Sequence, residues 1–217
     1  MIAFMVVASV FAMTTLQVGL FSASQGKEVA YAGLDQATGS LHLRGSVRAV
    51  RGEVDVDGND TIDLGGVDEQ AVAKIIFTVT AAIGNTMTDL TPPYTVNDTG
   101  IDPDASGLTS RTSVTIQTDN FLINDVAWTV TFPGSDNGDY ILDNDERAEL
   151  TVWLHTYDNV NSLYDLGSGS GDPFIDAAAD LIGASEEFTL QLYPTKGVTL
   201  NIQRTTPVVL RPQMDLR

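Results

Sequence analysis

The sequence predicts an α+β fold, in which a long N-terminal α-helix is followed by an Ig-like antiparallel β-sandwich. The first 26 residues contain no charged side chain and are mostly apolar. Beyond residue 52 the chain consists of short runs rich in β-branched and aromatic residues, separated by turns rich in Gly, Pro and Asp. Residues 1–52 carry four basic and two acidic side chains, whereas residues 53–217 carry seven basic and 27 acidic ones. We therefore expect two regions with different surroundings, a hydrophobic helical one over 1–52 and an acidic β-sandwich over 53–217.

The apolar segment over residues 1–23 is long enough to cross a bilayer as a helix. No basic residue precedes it and it is longer than the apolar part of a signal peptide, which argues against a secretory signal. Small residues recur at every seventh position and form one slowly drifting stripe on a helix: Ala12, Gly19, Gly26, Gly33 and Ser40. Each helical glycine costs about 1 kcal/mol relative to alanine. Close packing against copies of the same helix would offset that cost; the alternatives are a plain membrane anchor and a shorter helix broken by glycines.

The helical pattern extends beyond the apolar segment. Leu34 and Leu41 stand one heptad apart, with Ala30 and Ala37 on the same broad face. We expect the helix to continue to about Arg51, where Gly52 would end it. Such a helix would be about 75 Å long, a length typical of a filament core.

Six runs in the acidic region predict β-strands, at residues 72–79, 112–118, 126–132, 149–156, 187–193 and 198–204. Turn-rich segments separate several of them, and many strands with such turns indicate a β-sandwich. A short helix is expected over residues 174–182, because this segment has an apolar face and a glycine at its end.

Composition excludes several functions. The formal charge of −18 argues against a nucleic-acid partner, since phosphate binding needs clustered Lys and Arg. Without cysteine the chain has no disulfide and no thiolate metal site. His42, in the predicted helix, and His155, in a predicted strand, lie in no motif of an activated nucleophile. We expect a protein that is not an enzyme and requires no cofactor.

Calcium is the ligand that the sequence favours most. One candidate site surrounds an Asp-rich turn and consists of Asp136, Asp139, Asp143, Asp145 and Glu146. A weaker candidate consists of Asp55, Asp57, Asn59 and Asp63, in a loop that also contains Asp60 and where several oxygens could converge on a hard cation. The alternatives are side-chain caps on turns for the first set and a solvated acidic turn for the second.

Two parts of the chain resemble the archaellins, the archaeal flagellins related to type IV pilins. Residues 2–47 are similar to the N-terminal helix of that family, although Met1 falls where the interior of the apolar segment is expected. Residues 138–152 (GDYILDNDERAELTV) resemble its Asp-rich turn and strand. Residues 187–210 resemble its C-terminal hairpin, with the ending Arg204, Thr205, Thr206 and Pro207.

The resemblance implies a subunit of the archaellum, an extracellular filament turned by a membrane motor for swimming. The helix would sit in the membrane before assembly, a prepilin-type peptidase would process the precursor, and the chain would form a homopolymer through its helices. Archaellins are commonly N-glycosylated, and Asn-x-Thr triplets occur at Asn59 and Asn97, of which Asn97 is the better candidate. Two other functions stay open, a non-rotating type IV-like adhesion pilin and a membrane-anchored Ig-like surface domain that binds calcium or glycans.

Overall fold

The structure is a computed structural model that describes residues 2–38, 40–61, 69–82, 87–96, 102–169 and 171–216. One helix, α1 (Ile2–Thr38), precedes fifteen strands in the described residues. The strands are β1 (Leu41–Asp55), β2 (Glu69–Ala81), β3 (Thr88–Asp89), β4 (Tyr94–Val96), β5 (Pro103–Ala105), β6 (Ser113–Gln117), β7 (Leu122–Ile123), β8 (Trp128–Thr131), β9 (Ile141–Leu142), β10 (Ala148–Trp153), β11 (Thr156–Asp158), β12 (Leu163–Asp165), β13 (Glu187–Tyr193), β14 (Leu200–Thr205) and β15 (Gln213–Leu216).

The larger of the two main sheets has the strand order β11-β12-β1-β2-β10-β8. Strand β15 pairs with the same edge of β1 as β12 does, at residues 47–50 of β1, whereas β12 pairs at residues 54–55. The pairing of β1 with β12 is parallel, and the other pairings of this sheet are antiparallel. Strand β1 is thus the longest strand and the centre of the sheet.

The second main sheet is antiparallel, with the order β14-β13-β6-β7. It packs on the first sheet through one hydrophobic core to which both sheets contribute. The first sheet supplies Ile75, Phe77 and Leu150, and the second supplies Ile116 and Leu190, each at most 1% exposed. The predicted helix followed by an antiparallel sandwich is therefore confirmed.

The predicted end of the helix is wrong. Helix α1 ends at Thr38, and residues 41–52, which were assigned to it, lie in β1. The boundary between the two regions accordingly falls near Ser40 rather than at Gly52. Val47, Ala49 and Val54 of β1 are buried, and charged side chains stand between them, as in a strand covered on one face.

Two register shifts in β1 explain why its strand pattern is hard to recognise. They lie between Arg44 and Arg48 and between Val50 and Arg51. At the first, three consecutive residues (44–46) are exposed, and across the second the buried side chains change from odd to even positions. Gly52 does not end a helix; a Cβ atom at this position would lie 2.3 Å from the Tyr164 ring, so β1 needs a glycine there. Because the alternation along β1 is interrupted at both shifts, the apolar residues of this segment also fit a helical period.

All six predicted strands overlap a strand of the structure: β2, β6, β8, β10, β13 and β14. The predicted helix over residues 174–182 is wrong, since only the single 3-10 turn Ala178–Asp180 forms there. The backbone of this segment bonds to the sheet region instead. The Ile175 N–H donates to the Leu154 carbonyl and the Val72 N–H donates to the Ile182 carbonyl, both at 2.9 Å.

Candidate functional site

Helix α1 exposes apolar side chains on all sides. Every described side chain from Ala3 to Leu34 is exposed, including fourteen large hydrophobic ones. The segment Ala3–Leu34 is long and apolar enough to cross a membrane. A helix that is hydrophobic around its whole circumference is stable only when apolar groups surround it. The functional surface of this protein is therefore the helix.

Four hydroxyl groups within the apolar part of α1 form hydrogen bonds inside the helix. The hydroxyls of Ser9, Thr14, Thr15 and Ser24 donate to backbone carbonyls three or four residues earlier, at 2.6–2.9 Å. Such bonds let hydroxyl side chains enter an apolar environment without losing hydrogen bonds. The charged part begins at Lys27, whose Nζ lies 5.7 Å from the centroid of the Tyr31 ring.

The structure places four of the five predicted small residues on the helix. Ala12, Gly19, Gly26 and Gly33 lie in α1 with exposed surfaces. A Cβ atom at any of the three glycines would meet nothing within 4 Å in the same chain. Nothing within one chain therefore requires glycine at these positions, and their packing against other copies stays a prediction. Ser40 is the exception, because it lies beyond the end of the helix.

Ser40 instead joins the helix to the sandwich. The Ala82 N–H donates to the Ser40 carbonyl at 2.9 Å, beyond the end of β2. The Val198 N–H, between β13 and β14, donates to the Ser40 hydroxyl oxygen at 3.4 Å. Ser40 therefore contacts both main sheets at the point where the helix leaves the sandwich.

The described residues contain one set of three carboxylates that could hold a metal ion: Asp55, Asp60 and Asp165, whose oxygens lie within 4.8 Å of one another. Asp55 belongs to the weaker of the two predicted sites. Asp57 and Asn59 of that site lie in the same loop, and Asp63 lies outside the described residues. Asp165 was not predicted, because it reaches the loop through the parallel pairing of β1 with β12, where it stands opposite Asp55.

Two of the three carboxylates, those of Asp55 and Asp165, have different environments. Burial would raise the pKa of Asp55, but hydrogen bonds from the N–H groups of Asp60, Gly58 and Asp57 outweigh it and the pKa lies below its usual value. Burial raises the pKa of Asp165, and the nearby charges of Asp158 and Asp55 raise it further. The Asp165 carboxylate thus lies in an excess of negative charge that a cation would relieve.

The stronger predicted calcium site does not converge in this way. Glu146 is buried and caps two parts of the loop, since its carboxylate oxygens accept from the N–H groups of Asn137 and Asp143 at 3.3 and 3.1 Å. The carboxylates of Asp136 and Asp139 accept from N–H groups two residues further on. Asp145 is exposed. These contacts match the alternative reading of the set as turn caps.

The two predicted glycosylation sites differ in what the structure describes. Asn59 is exposed in the loop after β1, and its side-chain amide donates to Asp57 Oδ2 at 2.8 Å. Asn97 lies outside the described residues. Glycosylation of either residue stays a prediction. His42 is exposed on β1 rather than on a helix, and His155 is fully buried.

Comparison with known proteins identifies the family. The family model of the archaeal-type flagellins matches residues 1–204. The chain belongs to the archaeal-type flagellin family. Two relatives named "Probable flagellin 1" support this. The one from Archaeoglobus fulgidus is 28% identical over 218 residues, which cover all of this chain and 89% of the relative. The one from Aeropyrum pernix is 27% identical over 223 residues, which cover 97% of this chain and 88% of the relative.

A solved structure supports the fold of this flagellin. The archaeal flagellum of Methanospirillum hungatei strain JF1 matches with a TM-score of 0.54 and 19% identity, over 99% of this chain and 93% of that chain. The flagellin is a structural subunit of the archaellum, the extracellular filament that serves swimming motility. This family membership favours the filament subunit over the adhesion pilin and the membrane-anchored surface domain.

Proposed function

We propose that helix α1 anchors the flagellin in the membrane before assembly and then packs with α1 helices of other copies to form the filament core. The observation that carries this proposal is the exposure of apolar side chains around the whole helix. Lipid tails and neighbouring helices are the two surroundings that remove such a surface from water on every side. The sandwich would form the acidic outer surface, where 27 acidic side chains over residues 53–217 favour solubility.

The stripe of Ala12, Gly19, Gly26 and Gly33 is the part of the helix that we expect to lie closest to neighbouring helices. Small residues allow two helix backbones to approach closely. An added Cβ atom at any of the three glycines would meet nothing in its own chain, so packing between copies is the compensation that we propose for their cost in helix stability. We also propose, from the family resemblance, that a prepilin-type peptidase processes the precursor and that a membrane motor turns the filament.

Substitutions of Gly26 test the packing directly. Gly26→Ala and Gly26→Leu add side chains of increasing size at a position that is open in the single chain. Filament yield from cells should fall as the side chain at position 26 becomes larger, and Gly26→Leu should give no filaments. Circular dichroism should show that the sandwich stays folded in both variants. Leu16→Met is the matched control, since it keeps the volume of another exposed helix residue. Normal filaments from Gly26→Leu would exclude close packing at the stripe.

We further propose that Asp55, Asp60 and Asp165 bind calcium. Their oxygens are close enough together to share one hard cation, and carboxylate oxygens are the ligands that calcium prefers. Bound calcium would fasten the loop after β1 to β12 and so stabilise the sandwich. Thermal unfolding of the protein with calcium and with chelator tests this. Equal midpoint temperatures in the two buffers would exclude a structural cation.

A further inference from the structure

We propose that residues 204–211 of one copy, here called the ridge, dock into a groove at the β7 edge of a second copy, and that this contact joins neighbouring sandwiches in the filament. The inference rests on the proposed assembly through α1, because the helices would bring the sandwiches together. It adds a specific contact between the outer domains.

The ridge presents two exposed valines between two arginines. Val208 is 79% exposed and Val209 is 67% exposed, an unusual arrangement for adjacent apolar residues on a sandwich. Arg204 and Arg211 stand at the two ends of the ridge, and neither forms a salt bridge with a described residue. Arg211 is exposed, whereas Arg204 is half-buried and its Nη1 donates to the Gln203 carbonyl at 2.7 Å. The ridge thus offers an apolar tip with an exposed positive charge at its Arg211 end.

Hydrogen bonds fix both ends of the ridge. At its start Thr206 is buried, and its hydroxyl donates to the Gly183 carbonyl at 2.7 Å and accepts from the Glu186 N–H at 2.9 Å. At its end the Arg51 N–H donates to the Pro212 carbonyl at 3.2 Å. A segment held at both ends loses little conformational entropy on docking, which favours its use as a binding element.

The groove has complementary properties. It has a volume of about 370 Å³ beside β7, and its lining includes the apolar side chains of Phe121, Leu122 and Phe174. Three acidic residues also line it: Asp172, Asp176 and Asp180. Asp172 is occupied within the chain, since it accepts from the Ser168 N–H and hydroxyl at 2.8 Å. Asp176 and Asp180 form no salt bridge with a described residue, and no basic side chain of the described part lines the groove.

A second copy of the chain is the occupant that this complementarity indicates. The apolar tip of the ridge matches the apolar side chains that line the groove, and the exposed Arg211 matches the carboxylates. Basic groups are scarce on the sandwich, ten against 27 acidic ones over residues 41–217, so two copies attract each other only where a basic element meets an acidic one. Ridge and groove also lie at different places on the molecule. Strands β13 and β6 separate β14 from β7, a distance of about 14 Å at ordinary strand spacing. A contact between two different surfaces can repeat indefinitely, as an open filament requires.

Disulfide cross-linking tests the contact, because the wild-type chain contains no cysteine. Cells that co-express chains with Val209→Cys and chains with Asn124→Cys should yield filaments in which oxidation forms mixed dimers. Val209 lies at the tip of the ridge and Asn124 lines the groove. A disulfide requires Cα atoms within about 7 Å, so the mixed dimer reports direct contact between copies. Neither variant expressed alone should give this dimer.

The outcomes separate the two proposals. Filaments that assemble normally but give no mixed dimer would overturn the docking contact and leave assembly through α1 intact. Failure of the wild-type chain to form filaments in the same cells would overturn both. The mixed dimer, identified by mass spectrometry of the linked peptides, would support both.

Charge exchange provides a second test that needs no oxidation. Arg211→Glu and Asp176→Lys should each lower filament yield at least about tenfold, because each places like charges against each other. The two changes in one chain should restore the yield. Arg147→Glu and Asp104→Lys are matched controls at exposed positions outside both surfaces. Wild-type yield from both single variants, or no recovery in the double variant, would contradict the contact.

Discussion

The Val198 N–H donates a hydrogen bond to the Ser40 hydroxyl, and this bond connects the second sheet to the first residue described after helix α1. The Ser40 carbonyl accepts a hydrogen bond from the Ala82 N–H just beyond the end of β2, so this one residue is bonded to segments next to both sheets. In the proposed filament the helix lies in the core and the sandwich outside it. Ser40 would then lie at the junction of the two parts.

Ser40→Ala should loosen this junction. It removes the acceptor for the Val198 N–H and leaves the backbone bond to Ala82, so we expect a loss of about 1 kcal/mol in the free energy of unfolding. Denaturant unfolding of the sandwich in detergent-solubilised chain measures the loss. Ser40→Thr keeps the hydroxyl and serves as the control; equal stability of the Ala and Thr variants would show that the hydroxyl is not used.

Gly52→Ala should destabilise the sandwich by about 1–3 kcal/mol. The new methyl group would lie 2.3 Å from the Tyr164 ring and 2.8 Å from the Ala73 Cβ, so β1 or β12 has to move. Gly183→Ala is a suitable control, since its nearest contact would be an ordinary 3.7 Å to Glu186. A similar unfolding midpoint for the two variants would contradict the close approach of Tyr164 to β1.

His155 should make the sandwich sensitive to acid. Its ring is fully buried near the Asp165 backbone, and neither ring nitrogen forms a hydrogen bond of ordinary geometry with a described residue. Burial lowers the pKa of His155 to about 4, whereas the unfolded chain binds the proton near pH 6.5. Between these values the unfolded state binds more protons, so stability falls as the pH falls, by roughly 3 kcal/mol in total for this group.

The His155→Phe variant isolates this effect. Its free energy of unfolding should decrease less between pH 6.5 and pH 4 than that of the wild-type chain, because the buried histidine whose pKa is lowered is no longer present. Parallel pH profiles for the wild-type chain and His155→Phe would show that His155 is protonated equally in both states.

Asp165→Asn should abolish stabilisation by calcium. In calcium-free buffer the variant should be at least as stable as the wild-type chain, because it removes one charge from a group of carboxylates. At calcium concentrations of about a hundred times the dissociation constant, a single site would stabilise the wild-type chain by about 2.7 kcal/mol. Calorimetric unfolding with calcium and with chelator measures both effects.

The control for the calcium experiment is Asp145→Asn, in the set of carboxylates that the sequence favoured. This variant should respond to calcium like the wild-type chain. A response that disappears in Asp145→Asn and persists in Asp165→Asn would place the cation at the other loop. Calcium affinity should also fall as the pH falls through the raised pKa of Asp165, since a protonated carboxyl group binds calcium poorly.

Local patterns were sufficient to predict the helix, the sandwich and six of its strands. Strands β2 and β13 alternate buried and half-buried side chains over most of their length, which is why the sequence predicts them so closely. Strand β1 was missed because two register shifts break its alternation. The helix expected over residues 174–182 failed because its backbone groups bond to the sheet region, which local propensity does not report.

Only the part of the candidate site that lies within one element could be predicted from the sequence. The apolar helix and its small residues follow from the order of residues along one element. The convergence of Asp165 with Asp55 depends on a parallel pairing between strands about 110 residues apart, and no local spacing indicates it. In the acidic loop before β10, carboxylates cap the backbone of their own loop, and the spacing of the residues does not distinguish such caps from cation ligands.

Electron cryo-microscopy of filaments sheared from the cell surface, with mass spectrometry of their main subunit, tests the central claim most directly. We expect this chain to be the main subunit, with its α1 helices packed in a core without a central channel and its sandwiches outside. A chain that stays in the membrane fraction, or filaments whose core is built from the sandwiches, would contradict assembly through the helix.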